Sequence, residues 1–219
     1  MSDTISTPMR VYHFLSAEHA LDDLQRKRIK LSEIDKLNDP FELWCVAHGD
    51  RKIRAALRAY KTEMAQRFGL LCFSRGWHNP VLWSHYADSH RGICLGFEVV
   101  DEGLLKAVTY VTARRPLQLP PTPETMEQLN FTKYGGWSYE EELRGWVSLE
   151  ERDASTGLYF CSFDEKVQLR EVIAGPLCDT HQATIHAALR GYDYHIRVIK
   201  ARLAFTSFRI VENQQGFSR

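Results

Sequence analysis

Between Arg51 and Phe68 the apolar residues Ile53, Leu57, Tyr60, Met64 and Phe68 recur at spacings of three and four, which predicts one buried face of a helix. The opposite face is basic, carrying Arg51, Lys52, Arg54, Arg58, Lys61 and Arg67. Short apolar runs predict strands at "RVYHFL" (10–15), "IKLS" (29–32), "GLLCFS" (69–74), "RGICLGFEV" (91–99), "KAVTYV" (106–111), "GLYFCSF" (157–163) and "VQLREVIAG" (167–175), with a long β-rich run at 196–212. Helices are predicted after Ser16, at "NPVLWSHYADS" (79–89) where Asn79 caps and Pro80 opens the first turn, at "PETMEQLNFTKY" (123–134), and at "THQATIHAALRG" (180–191) up to Gly191. "NDPFE" reads as a turn. Strands cluster without a regular strand-helix-strand beat, so the predicted class is α+β.

At 219 residues, 44% hydrophobic and 26% charged, the chain has enough apolar surface for a core of its own, and we expect a single domain over 1–219, ordered from about 9 to 212. Residues 114–123 hold four of the eight prolines and predict a loop. Lysine plus arginine balances aspartate plus glutamate, so nucleic acid or an anionic membrane would have to be held by a local patch. The basic helix face Arg51–Arg67 is the candidate for nucleic acid. Five scattered cysteines without a C-x-x-C pair, a polar N-terminus and no apolar run of membrane-spanning length point to a cytoplasmic protein with no membrane partner.

Three places carry candidate chemistry. In "LWSHYADSHRG", Trp83, Tyr86 and His90 share a helix face, as a packed aromatic stripe or as a wall for a planar ligand. His85 and His90 diverge on a helix and no H-E-x-x-H occurs, so no metal site is predicted. In "WSYEEELR", an extended backbone would set Glu140, Glu142 and Arg144 on one face, where they hold a ribose hydroxyl and stabilise a cationic transition state, or form ordinary ion pairs. Tyr12 and His13, in the first strand, are core groups or ligands at a sheet rim. P-loop, dinucleotide-fold and nucleophile-elbow motifs are absent.

The motifs "YHFL", "KLNDPFE", "CFS", "LWSHYADSHRGICLGFE", "WSYEEELR" and "LREVIAGP", in that order from Arg10 to Gly175, resemble the bacterial family called domain of unknown function 2971. More distantly the chain resembles the ADP-ribosyltransferase superfamily, although that superfamily's S-T-S triplet is absent. This second resemblance implies a mostly antiparallel split β-sheet core flanked by helices, and NAD as substrate. It also implies catalytic Glu142 with Glu140, and cofactor contacts from His13, Tyr12, Ser74, Trp83, Tyr86 and Arg144 converging on one cleft. The expected function is NAD-dependent ADP-ribosylation of a macromolecule, protein or nucleic acid, as in a toxin or anti-phage effector. The alternatives are a nucleotide- or nucleic-acid-binding module without catalysis, and a nuclease or phosphoesterase.

Overall fold

The computed structural model describes residues 8–217 except 48, 101, 102, 118, 119 and 165. Its elements begin β1 (Met9–Leu15), α1 (Ala17–Arg26), β2 (Arg28–Lys30), β3 (Ser32–Glu33), β4 (Val46–Ala47), α2 (Arg51–Arg67) and β5 (Phe68–Ser74). There follow α3 (Pro80–Tyr86), β6 (Ile93–Val99), β7 (Lys106–Ala107), β8 (Thr109–Val111), β9 (Arg115–Pro116), α4 (Pro123–Asn130) and β10 (Thr132–Tyr134). A 3₁₀ helix at Gly135–Glu140 leads into β11 (Glu142–Ser148), β12 (Phe160–Ser162), β13 (Val167–Ala174), α5 (Gln182–Ala188), β14 (Arg197–Leu203) and β15 (Ile210–Glu212). The class is α+β. The chain forms two compact units, one drawn from Met1–Ile29, Phe73–Glu102 and Cys161–Arg219, the other from Lys30–Cys72 and Gly103–Phe160.

In the first unit the strand order is β15-β14-β13-β6-β1. All neighbours are antiparallel except β13 and β14, which run parallel and are joined through α5. β6 lies between β1 and β13, paired to β1 from Ile93↔Leu15 to Val99↔Met9 and to β13 on its other side. Covered on both faces, "ICLGF" is buried throughout, as a continuous apolar run predicts. Trp83 is fully buried against Phe14, edge to face at 5.2 Å. Gly92 and Gly175 stand where chains touch: a Cβ would lie 2.0 Å from the Leu15 carbonyl oxygen at Gly92 and 2.4 Å from that of His90 at Gly175. α3 ends at Tyr86 rather than Ser89, because Asp88, Ser89 and His90 take left-handed backbone (φ 45°, 50° and 72°) that turns the chain into β6.

In the second unit β3, β5, β11 and β7 lie side by side in that order, while β8 pairs β10 and β4 pairs β9, both in parallel. α2 spans Arg51–Arg67, opened by Asp50, whose carboxylate accepts from the Lys52 and Ile53 backbone N–H groups. Its apolar stripe serves two small cores: Ile53, Leu57 and Tyr60 pack with Val46, Leu129 and Met126, whereas Met64 and Phe68 pack with Ile34, Leu43, Leu70 and Trp146.

Several predicted elements are cut shorter. The helix expected over 123–134 stops at Asn130, and Thr132–Tyr134 forms β10 against β8. The strand expected over 106–111 breaks at Val108, so that Ala107 pairs with β11 and Thr109 with β10. The run over 196–212 is a hairpin, open between Leu203 and Ile210. The proline-rich stretch 114–123 lies inside the second unit, with β9 at its start and Pro123 in the first turn of α4; its residues 118 and 119 lie outside the described residues.

Candidate functional site

The second unit encloses a cluster of charges. Alternation along β11 sends Glu142 and Arg144 to one face. There Arg144 donates from Nε to Glu142 Oε1 at 2.8 Å and from Nη2 to Oε2 at 3.0 Å. Its Nη1 donates to Glu42 Oε1 at 2.6 Å and to the Asn130 carbonyl at 3.0 Å. Lys133, on β10, donates to Glu140 Oε2 at 2.5 Å and Glu142 Oε2 at 3.3 Å, with its ammonium 5.0 Å above the Trp137 ring. The Glu142 backbone N–H donates to Tyr110 Oη at 2.8 Å. Arg144 is 1% exposed and each of the three carboxylate residues 5% or less.

Burial would raise the Glu142 carboxyl, but the Arg144 guanidinium and Lys133 overcome it and bring the pKa down to about 2. Lys133 is shifted the other way: burial disfavours its charge, yet Glu142 and Glu140 hold its pKa above the ordinary value. Burial pushes the Cys72 thiol well up, with the Glu142 charge adding to it, and lifts the Tyr110 phenol to about 12. At neutral pH the cluster is therefore a fixed ionic lattice around Glu142.

Glu140 reaches this cluster by a route other than the one its sequence suggests. It ends the 3₁₀ helix begun at Gly135, and Glu141 caps that helix in left-handed backbone (φ 46°) before β11 starts. Glu140 and Glu142 thus share no strand face; they share Lys133. Glu42, Lys133, Tyr110 and Asn130 complete the lattice, residues whose segments the sequence marks as a turn, a strand and a helix but not as parts of a site. Their signal was weak: Glu42 closes the "NDPFE" motif and Lys133 opens "KYGGW". Asp39 shapes the turn of "NDPFE", its Oδ1 accepting from the Phe41 N–H at 2.9 Å.

The same segments face outward at the neighbouring residue. Lys133 is 6% exposed whereas Tyr134, next on β10, is 53% exposed; Glu42 is 1% exposed and Phe41 beside it 49%. Phe41, Trp44, Cys45, Thr112, Arg114 and Tyr134 line an aromatic pocket of about 230 Å³, with the Arg114 guanidinium 5.0 Å over the Phe41 ring. Trp44 also lines a groove of about 660 Å³ with Arg58, Lys61, Arg152 and Tyr159. Arg58 and Lys61 come from the basic face of α2. The groove's Glu33 is bridged to Lys36 at 2.5 Å and to Arg152 at 3.4 Å, and Asp35 is its other acidic residue.

The remaining predicted residues belong to the first unit. Tyr12 lies opposite Ser74 in register and donates to Glu171 Oε2 at 3.3 Å; burial, then Glu171, raises its phenol to about 12. His13 meets the Phe73 ring edge-on at 5.9 Å, and Ser74 is buried. Trp83 is enclosed in the core and donates from Nε1 to the Trp77 carbonyl at 2.6 Å, whereas Tyr86, three residues on, is half-buried against His85. The structure brings Glu140, Glu142 and Arg144 into one cluster in one unit, and Tyr12 beside Ser74 in the other. Among the described residues no cluster of three or more histidine, cysteine, aspartate or glutamate side chains has the arrangement of a metal site, and no helix is long and apolar enough to cross a membrane.

No protein-family model, no curated protein and no solved structure matches this chain.

Proposed function

We propose that the second unit binds a nucleotide, with NAD as the first ligand to test. One observation carries this reading: Trp44 is shared by an aromatic pocket and a cation-lined groove. A planar ring stacks among Phe41, Trp44 and Tyr134, and the phosphates extend to Arg58 and Lys61. The buried ionic lattice engages Lys133 of β10 and Glu42 of "NDPFE", the residues next to Tyr134 and Phe41, and so holds the backbone that presents those two rings. Calorimetric titration with NAD should show saturable binding that Trp44→Ala or the pair Arg58→Ala/Lys61→Ala weakens at least about tenfold, the loss of roughly one stacking or charged contact. Neither NAD nor ADP saturating the protein at millimolar concentration would remove the reading.

A second reading keeps the ligand and adds turnover, as ADP-ribosyl transfer. It is favoured by Glu142, ionised and oriented by Arg144, which is the group that would stabilise an oxocarbenium-like ribose as nicotinamide leaves, with Glu140 alongside. It ranks second because both carboxylates are 5% exposed and engaged by Lys133, so a ribose must displace that ammonium to reach them. Release of labelled nicotinamide in the presence of cell extract, abolished by Glu142→Gln while NAD binding persists, would promote it; binding without release leaves a binding module.

A further inference from the structure

The β14–β15 hairpin exposes two aromatic rings among the described residues: Phe205 is 88% and Phe208 98% exposed. Rings of this size so fully in water, three residues apart on one hairpin tip, are not explained by packing. The tip is held in place. Ala204 donates its N–H to the Arg209 carbonyl at 2.9 Å, Arg209 to that of Ser207 at 2.9 Å, and Ile210, fully buried, is anchored through its N–H to the His78 carbonyl at 2.9 Å. The Arg202 guanidinium stacks 4.2 Å over the Phe205 ring. Beside the tip runs a groove of about 540 Å³ lined by Arg202, Phe205, Thr206, Ser207, Arg209 and Gln214. Its acidic residue, Glu212, is already paired with Arg197 at 2.5 Å.

We propose that this hairpin is a docking platform for single-stranded nucleic acid, in which successive bases stack on Phe205 and Phe208 while Arg202 and Arg209 meet the phosphates. Exposed rings between cations form a surface complementary to an anionic chain of planar groups, and stacking on them is tolerant of base identity. Thr206, Ser207 and Gln214 offer hydrogen bonds to base edges and sugars. The same polar side chains make the groove a poor seat for acyl chains, since a lipid surface would strip water from them without replacing its hydrogen bonds. A second copy of the hairpin fits no better, because a two-fold contact would set the patch carrying Arg202 and Arg209 against an equally cationic patch of the partner. The platform lies in the first unit and does not depend on the nucleotide site of the second.

The test uses the full chain and two fluorescein-labelled twelve-nucleotide probes, oligo-dT and oligo-U, read by fluorescence anisotropy. Saturable binding is expected. Phe205→Ala/Phe208→Ala should weaken it at least about tenfold, the stacking of roughly one base, with an unchanged circular dichroism spectrum. Phe205→Trp/Phe208→Trp should retain it, and Arg202→Ala should lower the salt dependence by about one phosphate contact. Binding that is absent, or indifferent to the alanine pair, overturns the proposal. So does pelleting with phosphatidylserine vesicles, or a concentration-dependent dimer, that the alanine pair abolishes while oligonucleotide binding stays as it was.

Discussion

The two units bury their centres in opposite ways. Around β6 the first unit packs Trp83, Phe14, Leu95 and Phe97, all uncharged side chains, and the ion pairs of Glu98 with Arg10 and Arg170 lie at the part-buried end of that strand. The second unit places Arg144, 1% exposed, among Glu42, Glu142 and the Asn130 carbonyl. An apolar centre tolerates loss of one member by relaxing around a cavity, and the cost grows with what the site fails to fill. A charged centre has no such latitude, because removing one ion strands its partners in a medium that cannot solvate them. Rigidity of the second unit's segments around Glu42 and Lys133 therefore comes from all the cluster's charges being present together.

The sharpest way to break this contrast is to compare single with paired replacements. Arg144→Met should destabilise the chain by about 3–5 kcal/mol in denaturant unfolding, since Glu42 and Glu142 lose the cation between them. Replacing the set together, Arg144→Met with Glu142→Met and Glu42→Met, should recover part of that loss rather than add to it. Trp83→Ala should cost a comparable ~3–5 kcal/mol, but adding Phe14→Ala should deepen the loss, with a coupling of only about 0.5–1.5 kcal/mol for the edge-to-face pair. Recovery in the first unit, or plain additivity in the second, would erase the distinction.

Acid should separate the two by a smaller margin. Glu142 ordinarily titrates at 4.5 and in the fold at about 2. A carboxylate with a depressed folded pKa contributes stability that is fully present above about 4.5 and is lost as pH falls from there towards 2. Wild type should lose on the order of 3 kcal/mol across that window from this group, and the triple methionine variant should lose correspondingly less. Chemical denaturation at pH 6, 4 and 3 reads the difference; parallel curves would contradict it.

What the sequence made legible follows the reach of each interaction. The α2 stripe from Ile53 to Phe68 and the buried run Ile93–Phe97 are local periodicities, and both appear where the pattern put them. The Glu142 and Arg144 pairing was equally local, two residues apart on a strand. Glu140 was misplaced because a period of two was extended through Glu141, whose left-handed backbone breaks it without a glycine to announce the break. Left-handed Asp88, Ser89 and His90 defeated the helix boundary in the same manner. Glu42 and Lys133 were not legible as site residues because their partners are set by the fold: Glu42 meets Arg144 across 102 positions, and Lys133 meets Glu140 and Glu142 only once the chain between them turns through a 3₁₀ helix.

The order in which the chain visits its two units has a practical consequence. It passes between them at 29/30, 72/73, 102/103 and 160/161, and the first, second and fourth of these passages fall inside β2, β5 and β12. No single cut of the polypeptide releases either unit as one continuous fragment, so a truncation series cannot assign an activity to one half. Folding likewise must close long loops before either unit is complete, which places this chain among the slower folders of its size. Function will have to be mapped by point substitution in the intact protein.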